Sequence, residues 1–331
     1  MALTLTPKQL IAHLLVAIPA KIKTLIKGKP GICKSAVVEQ VVAQLKWELV
    51  MSHPSVADPT DYKGMPGIVK GEAQFLPFGD MQKLIKAKVP TVCFIDDLGQ
   101  APHSVQAALM QPLHARCLNG HKISEHVVFV GATNDTSHRA GVNSILEPVK
   151  SRWDTIVELE ANLDDWSTWA FGSGVPPEVI AFLRFRPDLL CKFEATRELT
   201  NSPNPRTWEA LGKNVKAGLV SLPVLAGAVG EAAAGEFLGF LRVYKNLPTI
   251  DQILHDPQTA PVPTEPSALY AVTAALVRKF TKPNANRCFI YAARLPKERE
   301  SVLIRDALRV CPELATTQEY TTWAIAQPEA A

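Results

Sequence analysis

The chain has 331 residues, 47% of them hydrophobic and 20% charged, with a net charge of +3; this balance supports a sizeable core and excludes a disordered polyelectrolyte. No apolar run reaches the roughly 20 residues that a bilayer-spanning helix needs, so membrane insertion is not expected. Six scattered cysteines without a CxxC pair speak against a zinc site or a disulfide framework and fit a reducing, cytoplasmic setting.

The start lacks a basic leader and a small-residue cleavage site, so it reads as structure rather than as a signal peptide. Residues 7–20 have helical spacing, with Thr6 placed as a cap and Pro7 at the first helical position. A short apolar piece at 24–26 runs into IKGKPGICKS, and residues 35–45 again have helical spacing. Strand, loop and helix in that order are the context a phosphate-binding loop requires. Residues 46–51 read as a second strand, and the Pro- and Gly-rich stretch 57–80 reads as irregular. A short helix is expected at 80–88, then a buried strand, TVCFID, over 91–96. A helix over 104–113, a tight turn at Asn119-Gly120 between short strands, and a strand over 127–130 follow. Strands alternating with helices predict an α/β core over 1–160, a parallel sheet between helices. Residues 161–245 and then 246–331 read as helical, with Pro-rich interruptions.

The chemistry of the loop follows from its backbone. Successive N–H groups at a helix start favour an anion, and here Gly28, Lys29, Pro30, Gly31, Ile32, Cys33, Lys34, Ser35 and Ala36 occupy the loop and first turn. Lys34 places a charge at outer phosphates, and the Ser35 hydroxyl can hold magnesium. Cys33 stands where a glycine usually precedes the lysine, and a non-glycine there must avoid strained backbone angles. Asp96 ends the 91–96 strand as a magnesium-shell carboxylate, and Asp97 stands beside it as the acid that polarises water. Asn134 ends the next strand, where its amide could orient that water. Arg152, before the strand-like DTIVELE, and Arg206, opening a later helix, are candidates to stabilise phosphoryl charge. Each has an ordinary alternative when taken alone: a chance loop, two exposed acids, a strand-to-turn Asn, surface salt bridges. The cluster Lys21, Lys23, Lys27 and Lys29 reads as a solvated face beside an anion site.

With these five elements in this order, the chain resembles the AAA+ ATPases, and within them the MoxR-type branch. The resemblance rests on GKPGICKS, CFIDDLGQAPHSVQAALMQPL, VVFVGATND, EPVKSRW and NPRTW, with DPTDYKGMPGIVKGEAQFLP resembling a loop inserted after the second strand. It implies an AAA+ P-loop core followed by an all-helical lid over 161–245 and C-terminal helices over 246–331. It implies ATP and Mg2+ at each boundary of a ring of six subunits, Arg152 serving the neighbour's site and Arg206 sensing nucleotide. It also implies remodelling of a client or of a partner with a von Willebrand A domain, with Phe75 or Leu76 as gripping residues. Asp97 replaces the usual Glu, which predicts slow hydrolysis. An ATP-gated scaffold that barely turns over, or a DNA-associated ring, are the alternatives; near-neutral charge and the absence of a recognisable DNA-reading domain argue against the latter, although a basic pore would not show in composition.

Overall fold

A computed structural model describes residues 3–134, 144–193, 199–245 and 249–328. It divides into two compact units, Met1–Asn162 and Leu163–Ala331. Asp135, at the end of VVFVGATND, lies outside the described residues.

The first unit runs β1 (Leu3–Leu5), α1 (Pro7–Ala17), β2 (Thr24–Gly28), α2 (Lys34–Leu45), β3 (Glu48–Ser52), α3 (Pro59–Lys63), β4 (Met65–Val69) and β5 (Glu72–Leu76). It continues through α4 (Gly79–Lys86), β6 (Thr91–Ile95), α5 (His103–Ala115), β7 (Cys117–Leu118), β8 (His121–Lys122), β9 (Val127–Thr133), α6 (Glu147–Lys150) and β10 (Thr155–Leu159). Six strands form one parallel sheet in the order β1-β10-β2-β9-β6-β3. Its central strands β6 and β9 are buried at every residue, as a sheet covered on both faces demands. Alternation divides their side chains between two cores. Phe94 and Val130 face α1 and α2, packing with Leu10, Leu14, Val38 and Val41. Cys93 and Phe129 face α4 to α6, packing with Leu84, Val105, Leu109 and Val149.

Two elements differ from the sequence reading. Three residues carry too little pattern to announce a strand, yet β1 pairs with β10 at the sheet edge. The 57–80 stretch is also regular: it holds α3 and the antiparallel ribbon β4–β5. Pro66 is tolerated because each strand of a two-stranded ribbon has an unpaired side. Lys70 and Gly71, both at positive φ (53° and 85°), form the two-residue turn, which matches the strand twist. Alternation places Pro66, Ile68, Ala73 and Phe75 on one ribbon face, with Ile68 and Phe75 exposed.

The second unit is helical: α7 (Leu163–Gly172), α8 (Pro177–Phe185), α9 (Pro205–Lys216), α10 (Leu222–Val229), α11 (Glu231–Lys245), α12 (Ile250–His255), α13 (Pro266–Val277), α14 (Ala285–Ala292), α15 (Lys297–Val310) and α16 (Gln318–Ala326). Helix α13 is apolar nearly all round and accordingly packs between α8 and α15. Phe182 of α8 is surrounded by Trp208, Phe237 and Phe240 at ring distances of 5.5, 5.3 and 5.6 Å. A buried ion pair, Arg184–Asp306, ties α8 to α15; burial pushes the Arg184 guanidinium down to about 10. Among the described residues, no helix is long and apolar enough to cross a membrane.

Candidate functional site

Strand β2, flanked by β10 and β9, brings the chain to Gly28, where the loop Lys29–Cys33 turns into α2. Gly31 has φ +73°. Cys33 has φ 71° and ψ 35°, the left-handed region, so the expectation that it avoids strained angles is wrong. The turn into α2 imposes this conformation, and only glycine adopts it without a cost of about 1–2 kcal/mol. Cys33→Gly is therefore expected to raise stability by about 1 kcal/mol in urea denaturation; an unchanged or lower midpoint would show that the thiol's contacts offset the strain. The side chain of Cys33 supplies no cap to α2, so first-turn N–H groups such as those of Ser35 and Ala36 keep no intrahelical acceptor and face an incoming anion.

Five polar side chains then converge at the carboxyl ends of β2, β6 and β9. The buried Lys34 ammonium donates to Gly28 O and Lys29 O, both at 3.1 Å, and to Asn134 Oδ1 at 2.7 Å. The Asn134 amide donates through Nδ2 to Asp97 Oδ1 at 3.3 Å. A cation on one side and a carboxylate on the other leave that amide one consistent orientation. Ser35 Oγ donates to Asp96 Oδ2 at 2.6 Å, and Asp97 N–H donates to Asp96 Oδ1 at 3.0 Å. Asp97 itself is left-handed (φ 54°) and opens a short 3-10 turn, Leu98–Gln100; a non-glycine outlier at such a place is a common mark of functional geometry. Among the described residues no cluster of three or more His, Cys, Asp or Glu side chains could hold a metal. A hydroxyl beside one carboxylate does suit Mg2+, which keeps waters and takes substrate phosphates as further ligands.

Among the described residues Arg152 makes no hydrogen bond to this network. Arg152 donates through Nη1 to Pro148 O, and its Nε is buried with no hydrogen-bond partner among the described residues. Its neighbour Trp153 lies over Gly131, where a Cβ would come within 2.6 Å of the indole ring; glycine at 131 is thus a requirement of the Trp153 packing that fixes the chain beside Arg152. Arg206 is exposed in the first turn of α9, behind an Asn204–Thr207 capping box. The lysine cluster is partly paired, Lys23 with Asp154 at 3.5 Å and Lys27 with Glu158 at 3.7 Å.

Neighbouring contacts escaped the sequence reading. Ser52, whose carbonyl accepts from Asp96 N at 2.9 Å, shares a buried 2.7 Å hydroxyl bond with Tyr62 of α3. Burial pushes the Tyr62 hydroxyl up to about 12, against the lowering effect of Ser52. The ribbon is held from the β7–β8 hairpin, where Asn119 Nδ2 donates to Lys63 O at 2.7 Å and His121 Nε2 donates to Phe75 O at 3.0 Å. Only the Asn-Gly turn signalled that hairpin. Elsewhere in this unit a cavity of about 330 Å³ is lined by Lys21, Lys23, His114, Arg116 and Glu125. Lys23 there donates to Leu113 O in the last turn of α5, as expected of a cation near a helix C-terminus, and Arg116 is committed to the carbonyls of Ser124 and Val127.

The parallel sheet, phosphate loop and paired acids define a P-loop α/β domain. Residues 23–153 match the family profile described as AAA domain (dynein-related subfamily), and the first unit thus carries a domain of the AAA+ ATPase superfamily. Among solved structures, a mutant of RuvB from Thermotoga maritima is similar at 18% identity, covering 82% of each chain with a TM-score of 0.43. NtrX from Brucella abortus is similar at 15% identity over 92% of this chain and 67% of that one, with a TM-score of 0.44. Likenesses at this level carry nothing about activity. No curated protein matches the chain.

Proposed function

We propose that this chain is an ATP-binding, slowly ATP-hydrolysing AAA+ ring protein of the MoxR type that remodels a partner protein. The observation that carries the reading is the continuous network Lys34–Asn134–Asp97 beside Ser35–Asp96, at the mouth of a loop ending in a helix N-terminus. In this reading the loop backbone from Gly28 to Ala36 cradles the phosphates and Lys34 neutralises the outer ones. Ser35 and Asp96 hold Mg2+, which when bound withdraws charge from the phosphate oxygens. Asp97 polarises the attacking water and Asn134 orients it, the amide being already bonded to that carboxylate. Aspartate is one methylene shorter than the usual glutamate, so its reach to the water is poorer and turnover slow. Arg152, unbonded to its own subunit's network, serves the site of the next subunit in a hexamer. Arg206 senses nucleotide from a lid over 161–245, and residues 246–331 extend that lid. The exposed ribbon face bearing Ile68 and Phe75 grips a client, for which a partner with a von Willebrand A domain is one candidate.

The second reading, an ATP-gated scaffold, is favoured by one observation: Cys33 holds a left-handed conformation in the loop where glycine is usual. Size analysis by light scattering separates the readings when combined with turnover. A hexamer in ATP with measurable turnover supports the motor; a hexamer without turnover supports the scaffold; a monomer in ATP contradicts both. Turnover stimulated by DNA and falling steeply with salt would move the function to a DNA-associated ring.

A further inference from the structure

Gln106 of α5 is fully buried, an unusual place for a carboxamide unless both of its ends are satisfied. They are. Nε2 donates to Ala101 O at 3.0 Å, and Oε1 accepts from Leu146 N at 3.0 Å. The two partners matter because of where they stand. Ala101 closes the 3-10 turn that Asp97 opens, so Gln106 holds the far end of the turn carrying the hydrolytic acid. Leu146 is the N-cap of α6, the short helix whose continuation carries Arg152. Below this bridge Val105 and Leu109 of α5 pack in one core with Val149 of α6 and with Trp153. This amide therefore links Asp97's turn to α6, the helix that precedes Arg152, by a hydrogen bond on each side. Its chemistry is specific: one end must donate to a carbonyl and the other accept from an N–H, which an aliphatic or an ionised acid cannot do.

We propose that Gln106 is a positioning residue that holds α6, and with it the turn carrying Arg152, against the turn of Asp97. The firm turn of Asp97 then serves as the anchor that sets the arginine a subunit lends to its neighbour. The inference rests on the roles proposed above for Asp97 and Arg152. Removing the amide loses both of these bonds, frees α6 from the turn, and misplaces Arg152 for the neighbouring site.

Two variants test this. Gln106→Leu keeps the volume and loses both bonds; turnover should fall about tenfold or more, with ATP affinity within about twofold of wild type. Mixing Gln106→Leu subunits with Asp97→Asn subunits should then restore turnover per Gln106→Leu subunit, because the added neighbours present a correctly held Arg152. A defect confined to the Asp97 turn would not be rescued, and that result overturns the coupling. Gln106→Glu supplies a second test that does not need the leucine variant to fold. A buried carboxyl resists ionisation; neutral, it donates to Ala101 O and accepts from Leu146 N–H, whereas ionised it offers two acceptors. Its turnover relative to wild type should therefore rise as pH falls, from about tenfold low near pH 8.5 to within about twofold near pH 6. A ratio flat with pH overturns the inference. Arg152→Ala mixed with Asp97→Asn is the control: without rescue there, the shared site itself fails, whereas rescue there but not for Gln106→Leu removes only the role of Gln106.

Discussion

Lys34→Ala is expected to abolish measurable ATP binding, weakening affinity at least about 100-fold in a fluorescent-nucleotide titration, a loss of about 3 kcal/mol or more. The side chain is buried, and its ammonium is held by Gly28 O, Lys29 O and Asn134 Oδ1. A charge already desolvated and held in place at the phosphate loop contributes more to phosphate binding than a solvated lysine would. Its removal also leaves the Asn134 amide anchored only through Asp97, so the water-orienting group loses its reference. Thermal melting separates this outcome from unfolding. A folded Lys34→Ala protein that binds ATP within twofold of wild type would remove the loop from the proposed site.

The second large effect is expected at Arg152. Arg152→Ala should lower steady-state turnover by about 100-fold or more while ATP affinity stays within about threefold, the split expected when a group acts on the transition state alone. Its guanidinium bonds only to Pro148 O among the described residues and its Nε is buried and unbonded, so it contributes nothing visible to the subunit's own network. Trp153 packing over Gly131 holds the adjacent backbone in place, which confines the loss to the side chain. Arg152→Lys should recover little, since a single ammonium lacks the planar fork of the guanidinium. Equal loss of binding and turnover would instead make Arg152 a structural residue.

Much of the first unit was legible because its physics is local. The strands around Phe94 and Phe129 are continuous apolar runs, the signature of strands buried on both faces. Lys34, Ser35, Asp96, Asp97 and Asn134 stood out by order along the chain, and the structure joins them in one chain of hydrogen bonds, its link from Asp97 to Asp96 running through the Asp97 N–H. What was not legible depends on partners distant in sequence or on angles that letters do not encode. The ribbon β4–β5 was masked by Pro66 and its glycines, which usually signal irregular chain. The left-handed backbone at Cys33 looked avoidable because cysteine rarely adopts it. Nothing in the letters of α5 marks Gln106; only its burial between Ala101 and Leu146 distinguishes it from a solvated residue. Arg206 was legible as the residue opening α9, and its assigned role remains part of the proposal.

The most direct test of the account is ATP turnover by Asp97→Asn against wild type, with ATP occupancy of both measured in the same samples. Asn keeps the size and the left-handed tolerance of Asp but cannot polarise water as a carboxylate does, while Ser35 and Asp96 remain. Occupancy is expected to be equal, with turnover reduced at least about 100-fold. Equal turnover at equal occupancy would contradict it, since hydrolysis would then proceed without the acid on which the proposed mechanism depends.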